Sequence, residues 1–449
     1  TCEFPSTGSR PFGMTILLLS LLVFLFLGVP IAYSLGLSAL CYFVVHEPGL
    51  LVVMPQRLMA GMDSFALIAL PLFIFMGQLM NASGITGRLI NYCMLLVGRF
   101  RGGLGLVNVS SSMLFGGISG SSASDTASIG SILIPEMKRR GYPERFAAGL
   151  TVASSTMGMI IPPSIPMVLF AVTAQESVGK LFLGGVIPGL MVGVFQMVFT
   201  LWISARKNFP KEDSKFVIQT LLVETGRSAL GVVWVVIIAL AILFLPVFVV
   251  GAVVFGVATA TESAGLGVFY AIVIGCFLTR RLTREKFIKA LRQSVLTSAK
   301  IMIIIAFSKL FIWILAYERL PDGLAEMVKE FDLSLFWLMM LMIVIILLAG
   351  TFIDVSPAIL LLTPIFLPMV IAAGGSPILF GVVLVVGLAV GACTPPVGNC
   401  LNVCSVISGL GIGTIFRGAL PFLAANLLTL VMIVFFPSLV LWLPSILMD

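Results

Sequence analysis

Apolar runs of about 18 residues or more recur along the whole chain, the length an α-helix needs to cross the hydrocarbon of a bilayer. No soluble domain lies between them. Of 449 residues 59% are hydrophobic and 10% charged, with a mean hydropathy of +1.17, where a soluble domain carries roughly 25% charged residues. The expected fold class is an all-α polytopic membrane protein. Two stretches break the apolar pattern. Gly116–Ile165 contains GGISGSSASDTASIGSILIPEM and closes on IIPPSI, and Gly350–Asn399 has the same character. Small residues, hydroxyls, a carboxylate and a double proline are a poor way to cross lipid. They suit a polar pocket at membrane depth, where broken helices leave backbone groups free to hold a solute or an ion.

The net charge of +7 comes from basic residues in short loops, which set orientation and do not signal nucleic acid. Six of the seven cysteines are scattered through apolar segments, and Cys393, Cys400 and Cys404 lack CxxC spacing, so they read as small core residues. His46, the one histidine, lies in a loop and is not expected to relay protons. Thr1–Gly13 (TCEFPSTGSRPFG) is polar, lacks an initiator Met and precedes the apolar pattern that starts at Met14. It is set aside as residues added to the natural chain.

Loop charge orders the spans. The first is expected over Met14–Val45 and the second over Leu50–Met80, with Pro71 as a kink; Ile85–Val97 reads as a short amphipathic helix near the interface. Gly102–Met137 is flanked by Arg99 and Arg101 before it and Lys138, Arg139 and Arg140 after it. Both ends therefore belong inside, which a single crossing forbids. A re-entrant helical hairpin with its tip in Ser119–Asp125 resolves this, and about 36 residues at ~1.5 Å each suffice for two half-depth helices. Phe146–Ala174 then leaves the cytoplasm, broken near Gly158–Pro166, and Leu181–Ala205 returns to a loop carrying Arg206, Lys207, Lys211 and Lys215. Leu230–Val250 and Val253–Leu278 form a pair closed by the most basic loop, Arg280, Arg281, Arg284, Lys286, Lys289 and Arg292. Ser294–Ala316 goes out and Glu318–Asp332 is an outer interfacial segment. Leu333–Ala373 is a second hairpin from the opposite face, with its tip near Gly350–Asp354. Pro377–Leu410 crosses inward, broken at Thr394-Pro395-Pro396, and Pro421–Leu443 crosses out.

The two halves echo each other. Asp125 is followed ten residues on by Pro135, and Asp354 ten residues on by Pro364; double prolines follow at Pro162-Pro163 and Pro395-Pro396, giving offsets of 229 and 233. Met14–Val45 pairs with Val253–Leu278, Leu50–Met80 with Ser294–Ala316, and Leu181–Ala205 with Pro421–Leu443. Each repeat makes four crossings and one hairpin, and the extra span Leu230–Val250 turns the second upside down. Inverted repeats whose broken helices meet at the midplane are the architecture of many secondary transporters.

The stretch from Gly116 to Ala171, GGISGSSASDTASIG through IIPPSIPMVLFA, resembles the large membrane subunit (DctM or SiaM type) of tripartite ATP-independent periplasmic (TRAP) transporters. So do ATATESAGLGVFYA (Ala258–Ala271), GTFIDVSPAILLLTPIFLP (Gly350–Pro368) and TPPVGN (Thr394–Asn399). The resemblance covers everything after Met14. It implies sodium-driven import of an organic acid across the bacterial inner membrane, with sodium as coupling ion and no cofactor. It implies a small four-helix membrane subunit, here expected as a separate chain, and a periplasmic substrate-binding protein. It further implies an elevator-type transport domain holding both hairpins, carried on a scaffold. On that basis 14–100 is scaffold and arm of repeat 1, and 101–206 is hairpin 1 with its broken helix. Residues 207–330 are the linker span with scaffold and arm of repeat 2, 331–416 is hairpin 2 with its broken helix, and 417–449 is the final helix. Phospholipid surrounds the whole, and sialic acid or a similar sugar acid is the favoured substrate.

A first sodium site is expected from Ser119, Gly120, Ser122 and Asp125 at the first tip, with Gly158 and Met159 at the facing break. A second is expected from Gly350, Thr351 and Asp354 with Thr394, Pro395 and Gly398. Hydroxyls and carbonyls freed by broken helices supply hard oxygen ligands, although small residues also serve close helix packing. Carboxylates at membrane depth are costly; Asp125 and Asp354 either ligate sodium or cap the second arm of each hairpin. Ser121, Ser124, Ser154, Ser155, Thr156, Pro162, Ser164 and Asn399 are the candidate substrate contacts, with half-helix N-termini favouring an anion. Glu262 falls in a family motif and also reads as structural.

Two other classes are disfavoured. An ATP-driven permease would bring a nucleotide-binding domain, and GxxxxGK[ST] is absent. A membrane enzyme would need clustered His, Asp or Glu. Proton coupling through Asp125 or Asp354, and a C4-dicarboxylate as cargo, stay open within the same architecture.

Overall fold

A computed structural model describes residues 10–209 and 229–448; Lys211 and Lys215 fall outside them. The expected first span is two helices, α1 (Arg10–Phe26) and α2 (Ile31–Val45), packed on each other. Gly28, at φ +79°, and Pro30 stand between them and turn the chain. Arg10–Gly13 belong to α1, so the boundary drawn at Met14 falls inside a helix. The second span also divides, into a 3-10 turn (Pro48–Val52), α3 (Val53–Met62), a second 3-10 turn (Phe65–Ile68) and α4 (Ala69–Ala82). Pro71, expected as a kink inside one long helix, is the third residue of α4, where 3-10 gives way to α.

Helix α5 (Ile85–Val97) buries Ile85, Leu89 and Cys93 on one face and packs on α6 (Gly103–Ser119). The first hairpin is α6 and α7 (Ser122–Arg139), joined by Gly120 and Ser121 and packed along each other. Helices α8 (Glu144–Ser155) and α9 (Met157–Ile160) lead to a break at 161–164, after which α10 (Ile165–Ala174) continues at a bend of 41°. Helix α11 (Val178–Arg206) is followed, within the described residues, by α12 (Ala229–Val254) and α13 (Ala260–Val273), which ends in a π turn (Ile274–Leu278). Thr259 and Glu262 form a capping box at the start of α13, each side chain bonded to the other's backbone N–H. Helix α14 (Arg284–Tyr317) has 34 residues, about 51 Å at ~1.5 Å per residue. Arg284, Lys286, Lys289 and Arg292 therefore lie on this helix and not in a loop.

The outer segment is α15 (Leu320–Glu330). The second hairpin is α16 (Leu335–Phe352) and α17 (Val355–Ala372), turned at Ile353 and Asp354. Helix α18 (Pro377–Gly391) breaks at 392–398 before α19 (Asn399–Ser408). The expected final span is α20 (Ile412–Phe435) and α21 (Ser438–Leu447), separated at Phe436 and Pro437. Seven described helices are long and apolar enough to cross a bilayer, or eight with the bent pair counted as one span. They bury two apolar cores. The larger encloses the hairpins and broken helices; the smaller joins Leu17 of α1, Leu35 and Phe43 of α2, and Leu310 and Phe311 of α14.

The repeat is sharper than its letters suggest. Helices α7 and α17 run 122–139 and 355–372, and α8 and α18 start at Glu144 and Pro377. All three spacings are 233, the spacing of Pro162-Pro163 and Pro395-Pro396, whose internal bonds are both cis. Pairing Asp125 with Asp354 and Pro135 with Pro364 at 229 is therefore wrong by four residues. The position matching Asp354 is Ser121, Asp125 matches Ala358, and Pro135 matches Pro368. Four residues are close to one helical turn, so the slip keeps every side chain near its own face and leaves the hydrophobic pattern undisturbed.

Candidate functional site

The first tip is built by a glycine. Gly120 ends α6 at φ +62°, returning its N–H to Gly116 O, a conformation only glycine takes without cost. A side chain there would also stand 3.3 Å from Pro163 O and from Ile165 N, in the break between α9 and α10. Ser121 is extended and starts α7. The tip thus sits against the break between α9 and α10.

Asp125 lies in the first turn of α7 and is completely buried. It is not the cap of the helix, a place Ser121 holds. The Ser119 hydroxyl donates to Asp125 Oδ1, and Ser119 Oγ is 3.2 Å from Ser121 N. Asp125 Oδ2 is buried with no hydrogen-bond partner. It faces Gly158, where an added Cβ would strike it. Ser122 Oγ takes the Cys400 thiol at 3.1 Å. Met159 O accepts the Ser164 hydroxyl, and Ser164 Oγ caps α10 by accepting Met167 N–H at 3.3 Å.

The second tip is different. Asp354 is exposed and caps α17, its Oδ1 accepting Val355 N–H at 2.9 Å and Asn399 Nδ2–H at 3.0 Å. Of the two roles open to the carboxylates, Asp354 fills the capping one and Asp125 does not. Gly350 touches α18, with its added Cβ 3.0 Å from Gly391 Cα, and Val397 N–H donates to Thr351 O at 3.2 Å. Thr351 and Thr394 turn their hydroxyls back onto Leu348 O and Val390 O. Gly398, at φ +50°, leads into α19; Pro395 lies in the break.

Both tips open on one cavity of about 510 Å³. Ser119, Gly120, Ser121, Ser122 and Ser124 line it from the first tip, Met159 from α9 just before the first break, Asp354 and Ser356 from the second tip, and Asn399 and Asn402 from α19. Asp125 and Gly158 lie behind this wall. Gly350, Thr351, Thr394, Pro395 and Gly398 cluster around the second tip, outside the lining. Ser154 and Ser155 at the end of α8, and Thr156 just after it, are buried. Ser154 bonds Asn108 and Ser112, and Thr156 accepts Asn426 Nδ2–H at 2.9 Å, while Asn426 Oδ1 accepts from Gln196 at 2.7 Å. Ser155 bonds Val152 O within its own helix. Ser164 is likewise interior, and Pro162 faces an apolar groove beside Leu183 and Pro246. Of the eight candidate substrate contacts, Ser121, Ser124 and Asn399 reach the cavity.

The lining also holds Gln78 of α4 and Thr297, Lys300 and Ile304 of α14. None of the four figures among the candidates above. Lys300 carried a legible signal, since a lysine inside the expected span Ser294–Ala316 is an ionisable group at membrane depth.

Residues 18–439 match the family model described as "Tripartite ATP-independent periplasmic transporter, DctM component". The chain is 37% identical over 412 residues to the C4-dicarboxylate TRAP transporter large permease protein DctM of Pseudomonas aeruginosa, covering 92% of this chain and 94% of that one. It is 34% identical over 425 residues to the sialic acid TRAP transporter large permease protein SiaM of Vibrio cholerae, covering 94% and 96%. Against the isethionate TRAP transporter permease protein DctMQ of Oleidesulfovibrio alaskensis it is 35% identical over 416 residues; the match takes 93% of this chain and spans 64% of that protein. The crystal structure of the Alcanivorax borkumensis YdaH transporter has the same fold at a TM-score of 0.61 and 15% identity, over 95% of this chain and 98% of that one. With a family model matched over nearly its whole length and relatives matched end to end, the chain belongs to the DctM component family of TRAP transporters, and is a multi-pass protein of the bacterial inner membrane.

Proposed function

We propose that this chain imports an organic anion by sodium-coupled secondary transport, as the large membrane subunit of a TRAP transporter. A periplasmic binding protein delivers the substrate, and a small four-helix membrane subunit supports the scaffold. The observation that carries the reading is the buried carboxylate of Asp125, with Oδ1 held by Ser119 and Oδ2 unpartnered against Gly158 of α9, behind the residues that line the polar cavity. A buried charge needs a counter-charge. A sodium ion among Ser119, Gly120, Ser122, Asp125, Gly158 and Met159 supplies it, with oxygens as the ligands a hard cation takes. A second ion belongs near Gly350, Thr351, Asp354, Thr394, Pro395 and Gly398. The substrate occupies the cavity against Ser121, Ser124 and Asn399, and elevator movement of the hairpins carries it across. No cofactor beyond sodium enters.

Relatives named for their cargo carry C4-dicarboxylates, sialic acid and isethionate, all of them anions. Identities of 37% and 34% do not choose between a dicarboxylate and a sugar acid. Uptake into proteoliposomes containing this chain, its small subunit and its binding protein tests the reading, with labelled sialic acid and a labelled C4-dicarboxylate compared with and without an inward sodium gradient. Accumulation that needs sodium and the binding protein is the expected result. Accumulation on a proton gradient alone would replace sodium by a proton on Asp125.

A further inference from the structure

Lys300 sits midway along α14, 16 residues after Arg284 and 17 before Tyr317, which is about 24–26 Å from either end at ~1.5 Å per residue. The helix is longer than the hydrocarbon of a bilayer is thick, and Lys300 stands six residues inside the expected span Ser294–Ala316, an ionisable group at membrane depth. It lines the cavity, on the same face as Thr297 and Ile304, three and four residues away. The other charged group on the lining is Asp354. Among the described residues no ion pair or hydrogen bond engages the Lys300 ammonium. Asp354 is committed elsewhere, to Val355 N–H and Asn399. The cavity lined by the serine-rich tip therefore also presents a cation, with no protein anion paired to it.

We propose that Lys300 is the counter-ion for the substrate's anionic group. The tip serines then hold the rest of the molecule through hydroxyl and amide contacts, and the cargo class is a small carboxylate or sulfonate with hydrogen-bonding groups opposite its charge. The proposal rests on the transport reading above. It adds a condition: the sodium near Asp354 cancels the one carboxylate that competes for Lys300, so substrate affinity and sodium are linked through this side chain.

The test is sodium-driven uptake by the reconstituted transporter of parent chain, Lys300→Gln and Lys300→Arg, using labelled succinate and N-acetylneuraminate as probes. K300Q raises KM for the accepted anion at least tenfold with the maximal rate within twofold, and K300R recovers most of the loss. An unchanged KM in K300Q, with the parent chain accumulating anion on sodium, overturns the assignment and leaves the transport reading standing. No sodium-driven accumulation by the parent chain overturns both. Because K300Q can fail for want of folding, Lys300→Cys is treated in assembled vesicles with a cationic or an anionic methanethiosulfonate, the parent chain controlling for its own cysteines. The cationic reagent rebuilds a charge on a similar stem and restores uptake, and the anionic one does not. Equal effects of the two reagents refute a role for the charge.

Discussion

Asp125→Asn separates charge from shape at the buried tip. Ser119 still has an oxygen to donate to at the Oδ1 position, while the uncompensated anion beside Gly158 becomes a neutral amide. If sodium neutralises that carboxylate, parent protein at 100 times the dissociation constant gains about 2.7 kcal/mol from binding. At about 1 °C per kcal/mol for a chain of 449 residues, that is a rise in Tm on the order of 3 °C. Thermal unfolding of the purified chain in sodium chloride and in choline chloride at equal ionic strength reads this difference. D125N is expected to lose the sodium-dependent rise. Its choline Tm should equal or exceed that of the parent, because an unpartnered amide costs about 1–3 kcal/mol and an unpartnered buried charge more. A full sodium rise in D125N would refute the site. A Tm several degrees lower in both salts would make Asp125 a structural group and refute the reasoning from its orphan oxygen.

Gly158→Ala places a Cβ on Asp125 Oδ2 and 2.9 Å from Asp125 Cγ; overpacking of this kind costs about 1–3 kcal/mol, and sodium-driven uptake should fall with it. Gly265→Ala, in open space on α13, is the control and should gain up to about 1 kcal/mol from helix propensity. Glu262→Ala removes the capping box of α13 and should lower the Tm slightly with KM and sodium half-saturation unchanged, whereas Glu262→Gln retains the acceptor and the stability. Asn426→Leu removes one partner each from Gln196 and Thr156, which keep their bonds to Ala153 O, and should cost about 1–3 kcal/mol, seen as a lower Tm in both salts with the sodium rise intact.

What was legible in the sequence was where the helices fail. Gly120, Pro162-Pro163 and Pro395-Pro396 interrupt the backbone for local reasons, so the tips and breaks fall where those residues are. What was not legible was direction. Ser154, Ser155 and Thr156 lie at the end of a helix buried on every side, and such a helix has no polar face to betray which hydroxyls meet a pocket and which meet α11 and α20. Only the partners Gln196, Asn426 and Asn108, distant in sequence, decide it. The pairing of Asp125 with Asp354 failed for a related reason, since matching letters one turn apart satisfies the same periodicity. Lys300 went unmarked because the basic residues just before it were read together as orientation signals, although its place inside an apolar run set it apart.

The 233-residue register makes the two halves near-copies in backbone while placing their carboxylates in unlike surroundings, one sealed at the first tip and one wet at the second. On the sodium reading the two ions then keep different clocks. An ion beside Asp354 exchanges with the water of the cavity as fast as it can diffuse. An ion beside Asp125 waits for Ser119 and Gly158 to part. A sudden drop in external sodium should therefore empty the halves in two phases, the fast one assigned to the second repeat, so that a duplicated fold releases its cargo in sequence and not in unison.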